Sequence, residues 1–100
     1  MIPMFNLDGR VAIVTGGNGG IGLGMAEGLA QAGAKIVVVG RNSEKNAAAV
    51  SRLEKLGVEV FSIEKDLTVA TAGEEVASAT EERFGQIDIL INNAGSNIRK

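Results

Sequence analysis

Thr15-Gly16-Gly17-Asn18-Gly19-Gly20-Ile21-Gly22 is the segment on which the architecture of this chain turns. It follows the β-branched run Val11-Ala12-Ile13-Val14, which with Arg10 and Thr15 predicts a strand over 10–15. It precedes a helical segment in which Ile21, Met25 and Leu29 recur every fourth position, the expected apolar stripe. A strand, a glycine-rich turn and a helix start, in that order, form an anion cradle. The helix start offers unpaired N–H groups and a partial positive charge. A diphosphate can approach the backbone closely only where no Cβ intervenes. The letters admit two registers. Gly17, Gly19 and Gly22 fit G-x-G-x-x-G, whereas Gly16, Gly20 and Gly22 after Thr15 fit T-G-x-x-x-G-x-G. A glycine-rich turn without a ligand is the plain alternative. A Walker-type phosphate loop is excluded, because no Gly-Lys-Ser/Thr follows.

Gly22, Gly24 and Gly28 are poor helix formers, so their helix is expected to pack closely on a sheet or a ligand. Gly33 is expected to end it. A second strand is predicted over 35–39, an unbroken apolar run and therefore covered on both faces. Ser43 is a suitable N-cap for a second helix, marked by Ala49, Leu53 and Leu56 and closed by Gly57. A third strand is expected over 59–63. Thr71 and Glu74 have capping-box spacing before a third helix, marked by Val76, Thr80 and Phe84 and stopped by Gly85. A fourth strand over 87–91 is apolar except for Asp88, read as structural, and runs into Asn92-Asn93-Ala94-Gly95. The order β-α-β-α-β-α-β with short loops implies parallel pairing and right-handed crossovers. The fold class is α/β, a Rossmann-type doubly wound parallel sheet with strand order 3-2-1-4. Residues 1–100 are read as a single dinucleotide-binding half-domain. With strand four at the edge, an apolar strand would be left unpaired, so the chain is expected to be part of a longer protein.

The totals bound the function. Of 100 residues, 45% are hydrophobic, which argues against disorder. Ten basic residues face twelve acidic ones, with no basic run, so a nucleic-acid partner is not expected. The absence of Cys and His excludes a His/Cys metal site and disulfides. The apolar runs are too short to span a bilayer, and a soluble, cytoplasmic chain is expected.

Thr15–Gly22 in the second register, Asp66-Leu67 after strand three and Asn92-Asn93-Ala94-Gly95 after strand four together resemble the cofactor motifs of the short-chain dehydrogenase/reductase family. The resemblance runs from Phe5 to the end of the chain. It implies hydride transfer between NAD(P) and a small-molecule carbonyl or alcohol, of the sugar or polyol dehydrogenase or 3-oxoacyl reductase type. It also implies a homo-oligomer at full length. The cofactor-binding residues implied or read are Gly16, Asn18, Gly19, Gly20, Ile21, Gly22, Arg41, Asp66, Leu67, Asn93, Ala94 and Gly95. By resemblance, Asp66 accepts from the adenine amino group, assisted by the Leu67 backbone. Its alternative role is to cap the following turn. Asn93 lies near the ribose and Asn92 acts as a brace. Asn18 is either a nucleotide contact or a turn residue.

Strand two ends in Val39-Gly40-Arg41-Asn42, with no acid before Glu44. An acid at this point would bind the ribose 2′-hydroxyl of NAD, whereas Arg41 suits a 2′-phosphate. NADP(H) is therefore expected over NAD(H), the alternative for Arg41 being an ordinary surface residue. The family's catalytic Tyr-x-x-x-Lys is absent: the chain contains no Tyr. Ser96 is not the family's catalytic Ser, and no catalytic residue is assigned. Two other readings stand beside the oxidoreductase: a non-catalytic dinucleotide-binding module, and a Rossmann-like methyltransferase, against which Gly40-Arg41 and the later motifs argue.

Overall fold

Three helices alternate with four strands along residues 6–93, the part of the chain that the computed structural model describes. In chain order they are β1 (Val11–Thr15), α1 (Gly20–Gln31), β2 (Lys35–Gly40), α2 (Ser43–Glu54), β3 (Val60–Glu64), α3 (Ala72–Phe84) and β4 (Ile89–Asn92). The strands pair in parallel in the order β3-β2-β1-β4, as the alternation predicts. Thr15 lies opposite both Val39 and Asn92, and Gly40 lies opposite Glu64. All four strands therefore end at one edge of the sheet. No helix among the described residues is long and apolar enough to cross a membrane.

The pleat sorts the apolar residues onto two faces. Ala12, Val14, Ile36, Val38 and Val60 pack with Ala26, Ala30, Ala49 and Leu53 of α1 and α2. Val11, Ile13, Val37 and Val39 pack with Val76 of α3, joined by Phe61, Ile63, Phe84 and Ile87. Residues 36–39 have no accessible surface, because helices cover β2 on both sides.

Several local expectations are corrected. The buried stripe of α1 is Gly22, Ala26 and Ala30, whereas Ile21 is 73% and Met25 40% exposed. Small side chains let the helix lie close to the sheet, so the smallest stripe faces it rather than the most hydrophobic one. Gly24 and Gly28 lie on the exposed side, with nothing within 4 Å of an added Cβ. Asn42 rather than Ser43 caps α2: its backbone is extended and its Oδ1 accepts from the Lys45 N–H at 2.9 Å. The capping box at Thr71 and Glu74 does not form. Thr71 is not extended, and its hydroxyl donates instead to Glu75 at 3.3 Å. Leu56 lies past the end of α2 and is 38% exposed.

β4 starts two residues later than expected because Asp88 does part of the pairing with its side chain. The Val11 N–H donates to Asp88 Oδ2 at 2.9 Å, while the Asp88 N–H donates to the Val11 carbonyl at 2.9 Å. The Gln86 amide and Arg10 also reach this carboxylate. This is the structural role expected of Asp88.

Candidate functional site

The turn from β1 into α1 is held against β2 by the Gly16 N–H, which donates to the Val39 carbonyl at 2.8 Å. Gly16 and Gly20 have φ of +68° and +56°, left-handed conformations that a side chain resists. A Cβ on Gly22 would run into the Gly16 carbonyl and come within 2.9 Å of Asn93 Nδ2. These three are the glycines of the T-G-x-x-x-G-x-G register, and the fold requires each of them. Gly17 is also constrained, since a Cβ there would lie 2.9 Å from the Val14 carbonyl oxygen. Gly19, which the other register needs, is extended and has nothing within 4 Å of an added Cβ.

α1 begins without a side-chain cap and without an acidic residue in its first turn. α2 carries Glu44 in its first turn and α3 carries Glu74 and Glu75. Among the described helices, α1 alone thus leaves its N-terminal charge without a nearby carboxylate. A closely approached backbone that ends in such a helix start suits a diphosphate.

Beside the turn, at the ends of β2 and β3, lies a cleft of about 650 Å³. Its lining brings together Gly16, Asn18, Arg41, Asp66 and Leu67 from the residues singled out in the sequence. Gly19, Gly20, Ile21 and Gly22 continue along the turn into α1. Asn93 lies on the other side of β1, its N–H donating to the Thr15 hydroxyl at 2.8 Å. Asn92 Oδ1 lies 3.1 Å from the same hydroxyl, which bridges the ends of β1 and β4. The brace expected of Asn92 is therefore present. Ala94 and Gly95 lie outside the described residues.

Asp66 accepts from the Thr68 hydroxyl at 2.7 Å and from the Thr68 N–H at 3.0 Å. These bonds, with a smaller contribution from the positive charge of Arg41, hold its carboxyl below the usual carboxylate range. Asp66 is thus an ionised acceptor at neutral pH. It caps the turn that follows it, the alternative read from the sequence, although α3 itself starts only at Ala72.

Sequence reading missed Lys45, Lys65 and Thr68, which also line the cleft. Lys65 is engaged by Glu75, with Nζ 2.6 Å from its carboxylate. Lys45 was discoverable, because the first turn of a helix after β2 must lie at the same sheet edge. Asn46, 2% exposed behind the cleft, was also missed. A polar residue in a helix reads as solvated, although Asn46 lies three residues before Ala49 and seven before Leu53, on the buried stripe of α2. No group of three or more potential metal-ligating side chains occurs among the described residues.

A family model described as short chain dehydrogenase matches residues 10–100. The chain is 41% identical over 96 residues to the rhamnolipids biosynthesis 3-oxoacyl-[acyl-carrier-protein] reductase of Pseudomonas aeruginosa, covering 96% of this chain and 37% of that protein. The crystal structure of L-sorbose reductase from Gluconobacter frateurii, complexed with NADPH and L-sorbose, superposes with a TM-score of 0.88 at 38% identity; the match covers 96% of this chain and 37% of that one. NAD+-bound xylitol dehydrogenase superposes with a TM-score of 0.86 at 37% identity, over 89% of this chain and 34% of that one. The chain thus spans little more than a third of the length of these relatives.

Proposed function

The chain belongs to the short-chain dehydrogenases, and from that premise we propose that it is the cofactor-binding part of an NAD(P)-dependent oxidoreductase that interconverts a carbonyl and an alcohol. The observation that carries this reading is one sheet edge with three kinds of group: the uncapped start of α1, the cation Arg41 and the ionised Asp66. The backbone N–H groups at the start of α1 hold the diphosphate. Asp66 accepts from the adenine amino group, and Asn93 holds the ribose nearer the reacting end. The bound nicotinamide supplies the hydride chemistry. The chain itself contains no Tyr, so no proton-transfer residue of the family's type is assigned to it.

We further assign NADP(H) as the preferred cofactor. The end of β2 presents Arg41, with Lys45 four residues on in the first turn of α2, and among the described residues that line the cleft Asp66 is the only carboxylate. A guanidinium pairs with the 2′-phosphate through charge-assisted bonds that a 2′-hydroxyl cannot match. Relatives are bound to either cofactor: NADPH in the sorbose reductase and NAD+ in the xylitol dehydrogenase. The substrate is a sugar, a polyol or a 3-oxoacyl group, the classes named for the similar proteins.

Titration calorimetry with NADPH and NADH tests the assignment. Arg41→Ala is expected to weaken NADPH binding about tenfold to a hundredfold and leave NADH nearly unchanged. Equal affinity for the two nucleotides in the unaltered protein would overturn the preference, and binding of neither would overturn the oxidoreductase reading.

A further inference from the structure

Asn46 is a polar side chain in α2 with 2% of its surface exposed. Both halves of its amide are used. Nδ2 donates to the Gly40 carbonyl at 3.0 Å, and Oδ1 accepts from Asn18 Nδ2 at 2.9 Å. Its partners come from two other segments: Asn18 from the glycine turn, and Gly40 from the last position of β2. The Gly40 carbonyl also accepts from the Lys65 N–H at 3.1 Å, which ties in the chain leaving β3. One buried amide thus joins the turn, the second strand and the second helix, and reaches the exit of the third strand through the carbonyl they share.

Gly40 completes the arrangement. A Cβ at this position would run into Asn18 Nδ2 and come within 2.7 Å of Asn46 Oδ1. The two amides occupy the space a side chain would need, and each is fixed by the other. Asn18 lines the cleft, whereas Asn46 does not. With one N–H committed to Asn46, Asn18 keeps its second N–H and its Oδ1 to offer to a ligand.

We propose that Asn46 is a positioning residue for the adenosine end of the dinucleotide, acting through Asn18 and the Gly40 carbonyl. This rests on the nucleotide-binding reading above and adds to it that the turn and the Arg41 end of β2 are set as a single unit. Asn46 itself touches no cofactor. Its amide fixes the orientation of Asn18 and the direction in which the chain leaves β2 toward Arg41.

The test uses the protein with 2′,5′-ADP, a probe of the adenosine end alone, titrated at a temperature at which every variant is folded. Asn46→Ala and Asn18→Ala are each expected to weaken 2′,5′-ADP about tenfold. The double variant should lose less than the product of the two single losses, because the two side chains share one bond. Gly40→Ala, whose Cβ would displace the two amides with both asparagines retained, should reproduce the loss. If Asn46→Ala fails to fold, Gly40→Ala with Asn18→Ala supplies the same cycle. A lowered melting temperature with unchanged 2′,5′-ADP affinity would make Asn46 merely structural and overturn the proposal, as would losses that multiply in the double variant. Failure of the unaltered protein to bind any of 2′,5′-ADP, NADPH and NADH would instead overturn the nucleotide reading, and this inference with it.

Discussion

On one face of the sheet, Ala12, Val14, Ile36 and Val38 lie beneath two helices that present Ala26, Ala30, Ala49 and Leu53. On the other face, Val11, Ile13, Val37 and Val39 lie beneath α3, which presents Val76 and the half-buried Phe84. The strand residues at the sheet centre are equally buried on both faces, but the margins differ. Ile89 and Ile91 of β4 pack into the first cluster, whereas Leu90, paired with Ile13 on the second face, is 62% exposed. The second face closes its far margin with rings and cations: Phe61 and Phe84 stand 5.4 Å apart, and the Arg83 guanidinium lies 4.9 Å from the Phe61 centroid. The first face brings its helices close through alanine and glycine, and the glycine turn is part of that face. The turn is therefore attached to the more tightly closed half of the molecule, whereas Val39 and Leu67 of the second cluster line the cleft.

Truncating the first face should have the greater consequence. Leu53→Ala should cost about 2–5 kcal/mol in urea unfolding, because it removes a fully buried side chain from between helix and sheet. Leu90→Ala should cost no more than about 0.5 kcal/mol, as for an exposed position. Equal costs would mean that Leu90 is covered by something beyond the described residues, and the contrast between the faces would then vanish.

Two substitutions within α1 sharpen the same contrast on a single helix. Gly22→Ala is expected to destabilise by about 1–3 kcal/mol, since its Cβ would meet backbone, and to weaken NADPH by displacing the turn. Gly28→Ala meets open space and should stabilise by up to about 1 kcal/mol. Matching effects at the two positions in thermal unfolding would refute the close approach of α1 to the turn.

A smaller, pH-dependent effect concerns Asp88, which fastens β4 to β1 at the edge opposite the site. Donation from Gln86 and from the Val11 N–H, with Arg10 beside it, lowers its carboxyl below the usual range. A lowered folded-state value means that the stabilisation is fully present above the unfolded-state pKa and is lost as pH falls through the folded-state one. Asp88→Asn should therefore be less stable than the unaltered protein at neutral pH. The gap should close only at acidity below the ordinary aspartate range. A gap independent of pH would exclude the ionised form as its source.

The alternation of apolar strands with helical segments, and the glycines between them, made the fold class and strand order legible. The buried stripe of α1 was not. Periodicity records hydrophobicity, whereas burial there was set by distance, and Gly22, Ala26 and Ala30 won over Ile21 and Met25. The helix caps were misread by one residue at Asn42 and by chemistry at Thr71, because several neighbouring residues can cap and only the backbone angles choose among them. At the site, Gly16, Asn18, Arg41, Asp66 and Leu67 proved to be neighbours, since each follows a strand and parallel strands end together. Asn46 follows no strand directly, and its partners lie 28 and 6 residues away along the chain. Only the packed structure joins them.

The bare beginning of α1 has a consequence for how the protein breathes. A helix whose first turn has neither cap nor carboxylate frays from that end, and its leading amides exchange readily with solvent. An anion seated there does the work of a capping residue, so its affinity and the local stability of the helix become one quantity measured in two ways. Amide exchange at Gly20, Ile21, Gly22 and Leu23 should then slow in step with occupancy, and the binding curve should be readable from the helix without observing the ligand.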